Sequence, residues 1–523
     1  MKSDMYRYLS ALFFTALLLV ACNGKDNHSA EDVLKYNQVG YFTSGPKLVL
    51  LDDQYEEILI KDLDGKLVLR VFADSAKFWE PSGDTVRRAD FSWLNSKGTF
   101  LLEIPGCDVR YQITVSDKPY DEVVRAAIKA FYYNRTAIPL EEKYAGYWYR
   151  QAGHPDTVVY VHASAATEQR PEGTVISSPL GWYDAGDYNK YVVNSAITTY
   201  TLLKALKDYR EYFDTLGVNI PESGSGLPDL LSETLFNLRW VLTMQDPFDG
   251  GVYHKLTSKQ FDDFIMPHES LSDRYVVAKS TAAALDFTAL NAAASRILRD
   301  YEELLPGLAD SCLAAAKLAW NWALQHPDVY YKQPEDIVTG AYGDWNLNDE
   351  WYWAASELFI ASGDPNAKNL VVTYYDQPSV PNWMDVRTLG TMSLLENPEL
   401  EGELSLPLSE DFIALADDLV SVWENSPYAV SIQSFAWGSN STVANEGMLK
   451  MCAYRLSGNR KYLESAISDL DYILGRNATG YCFVTGFGEK RVMNIHHRPS
   501  EADGIHEPIP GFLAGGPNLD VLT

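Results

Sequence analysis

The hydrophobic period of the chain changes near Pro119, and this change constrains the fold more than any other feature. Before it, short apolar or alternating runs are separated by turn signals such as Asp64-Gly65 and Pro105-Gly106, as in a sheet protein. After it, apolar residues recur at the three-and-four spacing of helices. The 523 residues suffice for two domains. We predict an immunoglobulin-like β-sandwich over residues 33–116 and an all-helical domain over residues 119–523.

The helical part predicts eleven helices, some of them joined by unusually long loops. The predicted helices cover residues 119–134, 188–212, 228–246, 275–299, 307–326, 348–362, 365–375, 385–396, 409–424, 441–457 and 460–475. The loops at residues 135–187, 247–274 and 476–523 exceed ordinary connections, and loops of such length usually carry function. The sequence therefore predicts a helical scaffold whose site lies in its loops.

The N-terminal segment has the pattern of an export signal. Two basic residues precede an apolar run over residues 9–20, which is too short for a membrane span. The next residues, Leu19-Val20-Ala21-Cys22, resemble a bacterial lipobox, which implies cleavage before Cys22 and lipidation of that residue. We expect a signal peptide over residues 1–21, a polar tether over residues 22–32 and a lipid-anchored location in the bacterial cell envelope. The alternative is an ordinary cleaved signal followed by an incidental cysteine.

Charge and aromatic content bear on the kind of ligand. The formal charge is −28, from 43 Lys and Arg against 71 Asp and Glu, which disfavours a nucleic-acid or anionic-membrane surface because phosphate binding needs clustered cations. Thirteen Trp and 33 Tyr offer flat amphipathic faces that suit sugar rings, although such residues also fill cores. We expect a neutral ligand, no nucleic-acid partner, membrane contact through a lipid anchor only, and a monomer.

Two carboxylates, Asp184 and Asp187, lie three residues apart just before a predicted amphipathic helix. The surrounding stretch reads Gly181-Trp182-Tyr183-Asp184-Ala185-Gly186-Asp187-Tyr188-Asn189-Lys190-Tyr191. Backbone N–H groups and the positive end of the helix dipole favour ionised carboxylates there, so at least one Asp should be able to deprotonate a water. The alternative is that both are helix caps, since Asp is a preferred N-cap residue.

Further loop motifs follow this turn along the chain. They are Ile220-Pro221-Glu222-Ser223-Gly224-Ser225-Gly226, Gly250-Gly251-Val252-Tyr253-His254-Lys255, Thr339-Gly340-Ala341-Tyr342-Gly343-Asp344, Trp437-Gly438-Ser439-Asn440, Leu474-Gly475-Arg476-Asn477, Phe483-Val484-Thr485-Gly486-Phe487-Gly488, His496-His497-Arg498-Pro499-Ser500 and Gly515-Gly516-Pro517-Asn518. With the turn, they resemble in sequence and order the motifs of glycoside hydrolase family 9, over nearly all of residues 119–518.

The resemblance implies a fold and a reaction. One branch of the family carries an immunoglobulin-like domain before its barrel, in agreement with the predicted sandwich. The implied catalytic domain is an (α/α)6 barrel of twelve helices that hydrolyses β-1,4-glucans with inversion, as an endoglucanase in polysaccharide catabolism. Inversion needs a carboxylate that activates a water and a carboxylic acid that protonates the leaving oxygen across a wider gap. Asp187 matches the family's base, and Asp184 would hold and polarise the same water.

Other residues match positions at which the family contacts sugar. His496 and Arg498 match its H-x-R motif, whose side chains contact sugar hydroxyls; the alternatives are solvated loop residues or a loop-stabilising ion pair. His254 is a similar candidate, with a core or capping histidine as its alternative. Five aromatic residues lie near motifs where the family places stacking platforms: Tyr342, Trp345, Tyr352, Trp383 and Trp437. Each taken alone is more often a core residue, but as a set some should stack on glucose rings.

Expectations about metals rest on the same resemblance. Many immunoglobulin-bearing members hold a structural zinc through two Cys and two His just before the D-A-G-D turn. This chain has His154 and His162 there but no nearby Cys, so zinc is not expected. Asp349 and Glu350 resemble a calcium loop, and oxygen ligands suit Ca²⁺; the alternative is an acidic pair at a helix start. No cofactor is required for the chemistry. The other cysteines should be buried thiols, with a Cys452–Cys482 disulfide as the alternative: Cys107, Cys312, Cys452 and Cys482.

The family's general acid is a Glu in an N-E context at the start of the twelfth helix, after the G-G-P-N motif. The sequence ends at Thr523, five residues after Asn518, so we expect a barrel that lacks this helix and its acid. Glu507 is nearest to the final loop but matches no motif. Two other functions therefore stay open. One is a non-catalytic or weakly active glucan-binding lipoprotein, and the other, disfavoured by the long loops, is a purely structural helical protein.

Overall fold

A β-sandwich forms the first domain of the computed structural model, which describes residues 33–519. Its strands are β1 (Leu34–Lys35), β2 (Tyr41–Phe42), β3 (Leu48–Asp52), β4 (Glu57–Lys61), β5 (Leu67–Phe72), β6 (Lys77–Trp79), β7 (Asp84–Asp90), β8 (Gly98–Glu103) and β9 (Arg110–Ser116). They form two sheets, in the orders β1-β3-β7-β6 and β2-β9-β8-β4-β5. In β4, Ile58 and Ile60 are fully buried while their neighbours are partly exposed, the alternation of a strand with one face on a core. The expected sandwich is confirmed.

Helices dominate the rest of the described chain. They are α1 (Asp121–Tyr133), α2 (Glu142–Ala145), α3 (Val192–Asp208), α4 (Arg210–Phe213), α5 (Asp229–Thr243), α6 (Thr281–Leu298), α7 (Leu308–Gln325), α8 (Asn348–Ser362), α9 (Pro365–Tyr374), α10 (Arg387–Leu395), α11 (Pro398–Leu404), α12 (Leu408–Asn425), α13 (Ser439–Ser457), α14 (Arg460–Ile473) and α15 (Arg498–Ala502). Each helix predicted from the apolar period is present, so the expected helical domain is confirmed, although it also contains a sheet.

Helix α6 lies inside the helical domain. It packs against α3, α7 and α8, and nearly all of its residues are buried. Its sequence, TAAALDFTALNAAASRIL, is rich in alanine, so neighbouring helices can approach it from several sides. Helix α12 differs, because it buries one stripe and exposes the opposite face, as an outer helix does. The domain therefore has inner helices enclosed by outer ones.

A third sheet is built from segments that the sequence does not predict as strands. Its strands are β10 (Val159–Val161), β11 (Val175–Ile176), β12 (Lys190–Tyr191), β13 (Tyr253–Thr257) and β14 (Tyr275–Lys279), in the order β11-β10-β14-β13-β12. The prediction of helix over residues 275–279 is therefore wrong, and helix α3 begins at Val192 because the two residues before it pair with β13. This sheet fixes the loops at one end of the helical domain.

The sandwich and the helical domain share a buried polar contact. Asn37 Nδ2 donates to Asp471 Oδ1 at 2.7 Å and to the Tyr120 hydroxyl at 3.0 Å, and Arg88 donates to the carbonyl oxygen of Ser426. All of these side chains except Arg88 are buried. Buried polar groups need such partners, so each domain satisfies groups of the other.

The predicted signal peptide, tether and lipidation site at Cys22 lie outside the described residues. Within residues 33–519, none of the helices has the length and apolar character needed to cross a membrane. Cys107, Cys312, Cys452 and Cys482 are free thiols, so the structure contains no Cys452–Cys482 disulfide.

Candidate active site

The turn that carries Asp184 and Asp187 is closed by its own backbone. Asp184 N donates to Asn189 O at 3.0 Å, and Asn189 N donates to Asp187 Oδ1 at 2.6 Å. Gly186 lies so close to the backbone of His496 that a Cβ at position 186 would be 2.2 Å from His496 O. Only glycine tolerates this approach. One residue, Asn189, therefore holds both aspartates, and the turn packs against the segment that carries His496.

Asn189 is itself anchored in the third sheet. Its side-chain oxygen accepts hydrogen bonds from Thr257 Oγ1 at 2.9 Å, Ser258 N at 3.0 Å and Arg274 Nη1 at 3.3 Å. Arg274 also donates to Tyr188 O at 2.8 Å. Asn189 and Arg274 are both buried, so the position of the turn is set by packed structure behind it.

A buried ion-pair network supports the start of the turn. Arg135 is fully buried, and its guanidinium donates to Glu233 Oε2 and to Glu222 Oε2, each at 2.9 Å. Glu233 Oε1 accepts from Trp182 Nε1 at 2.8 Å, and Asn237 Oδ1 accepts from Trp182 N at 3.1 Å. The planar Arg fork suits two carboxylates at once, so helix α5, which contains Glu233 and Asn237, holds the residue two positions before Asp184.

Burial raises the pKa of both carboxyl groups in the turn. For Asp184 the pKa rises to about 6, first through burial and then through the nearby Asp187 charge, while hydrogen bonds from Asn194 and Tyr342 oppose the rise. Burial also raises the pKa of Asp187, against hydrogen bonds from Asn189 and Tyr191 and the charge of Arg498. A carboxylate with a pKa near 6 remains ionised at neutral pH and is a better proton acceptor than a free one. The pair can hold a water and take its proton.

Hydrogen bonds from other elements orient each carboxylate. The Tyr342 hydroxyl donates to Asp184 Oδ2 at 2.8 Å, and Asn194 Nδ2 donates to Asp184 Oδ1 at 3.1 Å. The Tyr191 hydroxyl donates to Asp187 Oδ2 at 3.3 Å. Both aspartates are therefore oriented by donors outside their own turn.

The structure brings the H-x-R segment to this turn, with different placements for its two side chains. His496 is exposed, and its ring packs edge-on against Phe264 with the centroids 5.7 Å apart. Arg498 is buried and donates from Nη1 to Gly186 O at 2.6 Å and from Nε to Asp262 O at 2.8 Å. The imidazole of His496 is open to a ligand, whereas the Arg498 guanidinium braces the backbone between the two aspartates.

His254 and Tyr352 do not lie where the resemblance led us to expect. His254 is fully buried and uses both ring nitrogens, Nδ1 with Ser280 Oγ at 2.8 Å and Nε2 with Ala341 O at 2.9 Å. Burial lowers its pKa to about 3. Tyr352 is also fully buried, with its hydroxyl on Thr391 Oγ1 at 3.0 Å. We correct both expectations, because neither side chain is accessible to substrate; His254 instead supports the loop that carries Tyr342.

The other predicted aromatic residues are accessible. Tyr342 is partly buried, and its ring meets Trp383 edge-on with the centroids 5.1 Å apart. Trp345 and Trp437 are 74% and 70% exposed. Exposed apolar surface of this kind often marks a binding site, so the rings of Trp345 and Trp437 are available to stack on a ligand. Tyr342 and Trp383 form a wall beside Asp184.

Four acidic side chains cluster near the start of helix α8, and all are buried except Asp344, which is partly buried. They are Asp286, Asp344, Asp349 and Glu350, and each has an oxygen without a hydrogen-bond partner in the described structure. Burial and mutual repulsion raise the pKa of Asp286 and Glu350, and burial raises that of Asp349 to about 6. These oxygens have the donor chemistry of a calcium site, but within residues 33–519 they do not converge into a ready metal shell.

The two histidines at the position of the family's zinc site form hydrogen bonds with other side chains. His154 Nδ1 lies 2.8 Å from the Tyr183 hydroxyl, and His162 Nε2 lies 3.1 Å from Asp336 Oδ1. Among the described residues, no group of three metal-ligating side chains surrounds either histidine. The residues present therefore do not fit a zinc ion.

Several residues at the site are missed by sequence reasoning. Asn189, Tyr191 and Lys255 belong to motifs quoted above, but nothing in the local pattern assigns them a role, because their contacts depend on the pairing of β12 with β13. Asn194 lies in the first turn of helix α3, and its offset of ten residues from Asp184 gives no signal. Glu507 forms an ion pair with Arg491 at 3.0 Å. Among residues 33–519 we assign the proton donor to no carboxylate.

Comparison with known proteins agrees with this geometry. The model for glycosyl hydrolase family 9 matches residues 120–521, and the model for a cellulase N-terminal ig-like domain matches residues 29–109. A xyloglucan-specific endo-β-1,4-glucanase of Bacteroides ovatus is 40% identical over 533 residues, covering 98% of this chain and 90% of that protein.

Solved structures of the same family are also similar to this chain. The structure described as Bacteroides ovatus GH9 has a TM-score of 0.89 at 40% identity and covers 93% of this chain and 92% of its own. That of AaCel9A in complex with cellobiose-like isofagomine has a TM-score of 0.84 at 30% identity and covers 93% of this chain and 90% of its own. The chain belongs to glycosyl hydrolase family 9 and is a glycosidase with an immunoglobulin-like domain followed by an (α/α)6 barrel.

Proposed function

We propose that this glycosidase cleaves internal β-1,4-glucosidic bonds of a β-glucan with inversion at the anomeric carbon. The observation that carries the proposal is the pair Asp184 and Asp187, which burial makes more basic and which packed structure holds in fixed orientation. In an inverting hydrolysis, a carboxylate removes a proton from the water that attacks the sugar. Asp187 takes that proton, and Asp184 orients the water.

Xyloglucan is the first substrate to test. The relative from Bacteroides ovatus is described as specific for that polysaccharide. Neutral glucans also suit a chain of formal charge −28, because they bring no charge to be repelled. The exposed rings of Trp345 and Trp437 give sugar rings the apolar face on which they stack. We therefore rank xyloglucan above unsubstituted and mixed-linkage β-glucans.

The test is a comparison of purified protein with its Asp187→Asn variant on xyloglucan, carboxymethylcellulose and mixed-linkage glucan. Reducing ends should appear with a rapid fall in viscosity, and proton NMR should show the α-anomer first. The variant should lose turnover by a factor of about 10²–10⁴ while still binding glucan. Glucan binding without turnover by the unaltered protein would instead establish a non-catalytic binding protein.

We also propose that the protein is a monomer anchored to the bacterial envelope through lipid on Cys22. The lipobox-like residues 19–22 support the anchor. Expressed from its own leader in a bacterium, the protein should partition into detergent, and Cys22→Ser should move it to the aqueous phase. Aqueous partitioning of both forms would contradict the anchor, and light scattering of the soluble form measures its oligomeric state.

We also propose that a calcium ion binds near the start of helix α8. Asp349 and Glu350 would hold the ion with Asp286 and Asp344, and it would supply charge compensation and rigidity to the start of helix α8. The buried, unpartnered oxygens support this. Their present arrangement means that side chains must rotate when the ion binds.

A further inference from the structure

The base is connected to a buried lysine that the proposed mechanism does not use. Lys255 is fully buried, and its Nζ donates to Gly340 O at 2.6 Å, Thr339 Oγ1 at 3.0 Å and Gln333 Oε1 at 3.1 Å. All three acceptors are neutral, and among the described residues no carboxylate forms an ion pair with it. Burying a charge without a counter-ion costs folding free energy. The neutral amide of a glutamine at this position could make some of the same hydrogen bonds.

The charge that acts on Lys255 is that of the base itself. Burial lowers the pKa of Lys255 to about 7, and Asp187 opposes this shift. Tyr191 lies between them: it pairs directly with Lys255 across β12 and β13, and Lys255 Nζ is 5.6 Å from the centre of its ring. The ring of Tyr191 thus separates a buried cation from the catalytic carboxylate.

A directed series of hydrogen bonds runs along the same path. Gly340 N donates to the Tyr191 hydroxyl oxygen at 3.1 Å. That oxygen then has its own proton free to point at Asp187 Oδ2, 3.3 Å away. Gly340 N can approach the Tyr191 hydroxyl because residue 340 is a glycine: a Cβ there would lie 3.0 Å from the Tyr191 oxygen. Lys255 fixes this loop by holding the Gly340 carbonyl.

We propose that Lys255 and Tyr191 are positioning residues for the base: Lys255 holds Gly340, Gly340 orients the Tyr191 hydroxyl, and this hydroxyl and the lysine charge keep the Asp187 carboxylate ionised and in place. The inference rests on the proposed function of Asp187. Neither residue touches the water or the sugar. The alternative is that Lys255 merely ties the 333–340 loop to β13.

The proposal predicts a pH effect with a definite sign. Asp187 must be ionised to accept a proton, and both a hydroxyl donor and a nearby cation favour that form. Removing either should raise the pKa of Asp187 and move the acidic limb of kcat/KM to higher pH. The other titratable or charged groups around the turn, which stay unchanged in the variants, are Asp184, Arg498, Tyr342 and His496.

The experiment uses 2,4-dinitrophenyl β-cellobioside, whose leaving group departs without protonation, so that turnover reports on the base alone. For Tyr191→Phe and Lys255→Met we expect the acidic limb to rise by about one pH unit. Below the midpoint of that limb, kcat/KM should then fall about tenfold, while well above it kcat/KM should stay within about twofold of the unaltered protein. Tyr462→Phe is the matched control, because its hydroxyl donates to Asp417 at 2.8 Å, between helices α14 and α12; its profile should not move.

A further variant separates charge from tethering. Lys255→Gln keeps a hydrogen-bond donor but removes the charge, so it should behave like Lys255→Met. If Lys255→Gln restores the original profile, or if the variants lower kcat/KM equally at every pH, the proposal is overturned and the lysine is only a tie. Tyr191→Phe removes one atom, so it tests the same claim even where Lys255→Met does not fold.

A binding measurement gives the same midpoint without turnover. The affinity for cellobiose-like isofagomine, a cationic sugar mimic, should weaken as the carboxylates become protonated. Tyr191→Phe should shift the midpoint of this pH dependence to higher pH, and an unshifted midpoint counts against the inference. If the unaltered protein hydrolyses neither the aryl glycoside nor any β-glucan, the proposed function fails first, and this outcome is distinct from active protein with unshifted variants.

Discussion

Asp184 carries a conflict between stability and activity. Its pKa in the folded protein is raised to about 6, above the value of about 4 expected in an unfolded chain. A raised carboxyl pKa means that the charged form opposes folding: the associated stability is fully present below about pH 4 and is lost as pH rises through about 6. Asp184→Asn should therefore raise the free energy of unfolding by about 1–3 kcal/mol at pH 7 and change it little at pH 4, while turnover falls.

Urea unfolding at the two pH values measures this difference. Asp417→Asn is a suitable control, because Asp417 is exposed and accepts from a tyrosine hydroxyl at a distance from the site. A gain of equal size at both pH values, or a loss at pH 7, would show that desolvation of the Asp184 charge is not the cause.

The sequence predicted the catalytic turn better than the residues around it. Asp184 and Asp187 are adjacent in sequence to the glycine and helix that create their environment, so a local pattern could identify them. His254 also lies in a family motif, yet a motif does not show which way a side chain points, and His254 points into the core. Tyr191 and Lys255 meet only because two strands pair, and no local pattern contains that information.

At the scale of elements, Gly186 joins the turn to the segment before helix α15. In Gly186→Ala the new Cβ would lie 2.2 Å from His496 O, so the turn and that segment must separate. A displacement of about 1 Å at a catalytic group costs about 10² in rate. We expect kcat/KM on the best glucan to fall by about that factor with far-ultraviolet circular dichroism unchanged.

Gly402→Ala is the matched control for this substitution. Gly402 lies within helix α11 and has no atom within 4 Å of an added Cβ, so alanine there should be neutral or stabilise the protein by about 0.5–1 kcal/mol. Equal activity of the two variants would contradict the close approach between Gly186 and His496.

Helix α8 begins with the acidic pair that we propose to bind calcium. An ion that binds the folded state alone raises stability by mass action, so millimolar Ca²⁺ should raise the Tm and EGTA should reverse the change. Asp349→Asn should abolish most of this response, whereas Asp364→Asn, at a partly exposed residue that caps the start of helix α9, should retain it. An unchanged Tm with Ca²⁺ would mean that protons rather than a metal neutralise the buried acids.

The helices could be predicted from sequence more completely than the third sheet. Helix α8 begins and ends at the predicted residues, because an acidic pair lies in its first turn and Gly363 follows its last residue. The strand β14, Tyr275–Lys279, runs directly into the apolar start of helix α6, so its short run of apolar residues reads as the first turn of that helix. Short strands inside long loops acquire their structure from partners elsewhere in the chain, which explains why the site's support was missed.

At the scale of the whole molecule, Asn37 connects the stability of the two domains. Its amide donates to Asp471 and Tyr120, both buried in the helical domain, and burial already raises the pKa of Asp471 to about 6. Asn37→Ala leaves a buried carboxyl group with one donor fewer, which costs about 1–3 kcal/mol. Because this contact spans both domains, calorimetry should show one unfolding transition that moves as a whole to lower temperature. The exposed Asn425→Ala in helix α12 should leave the transition in place; two separate transitions in the unaltered protein would show that the domains unfold independently.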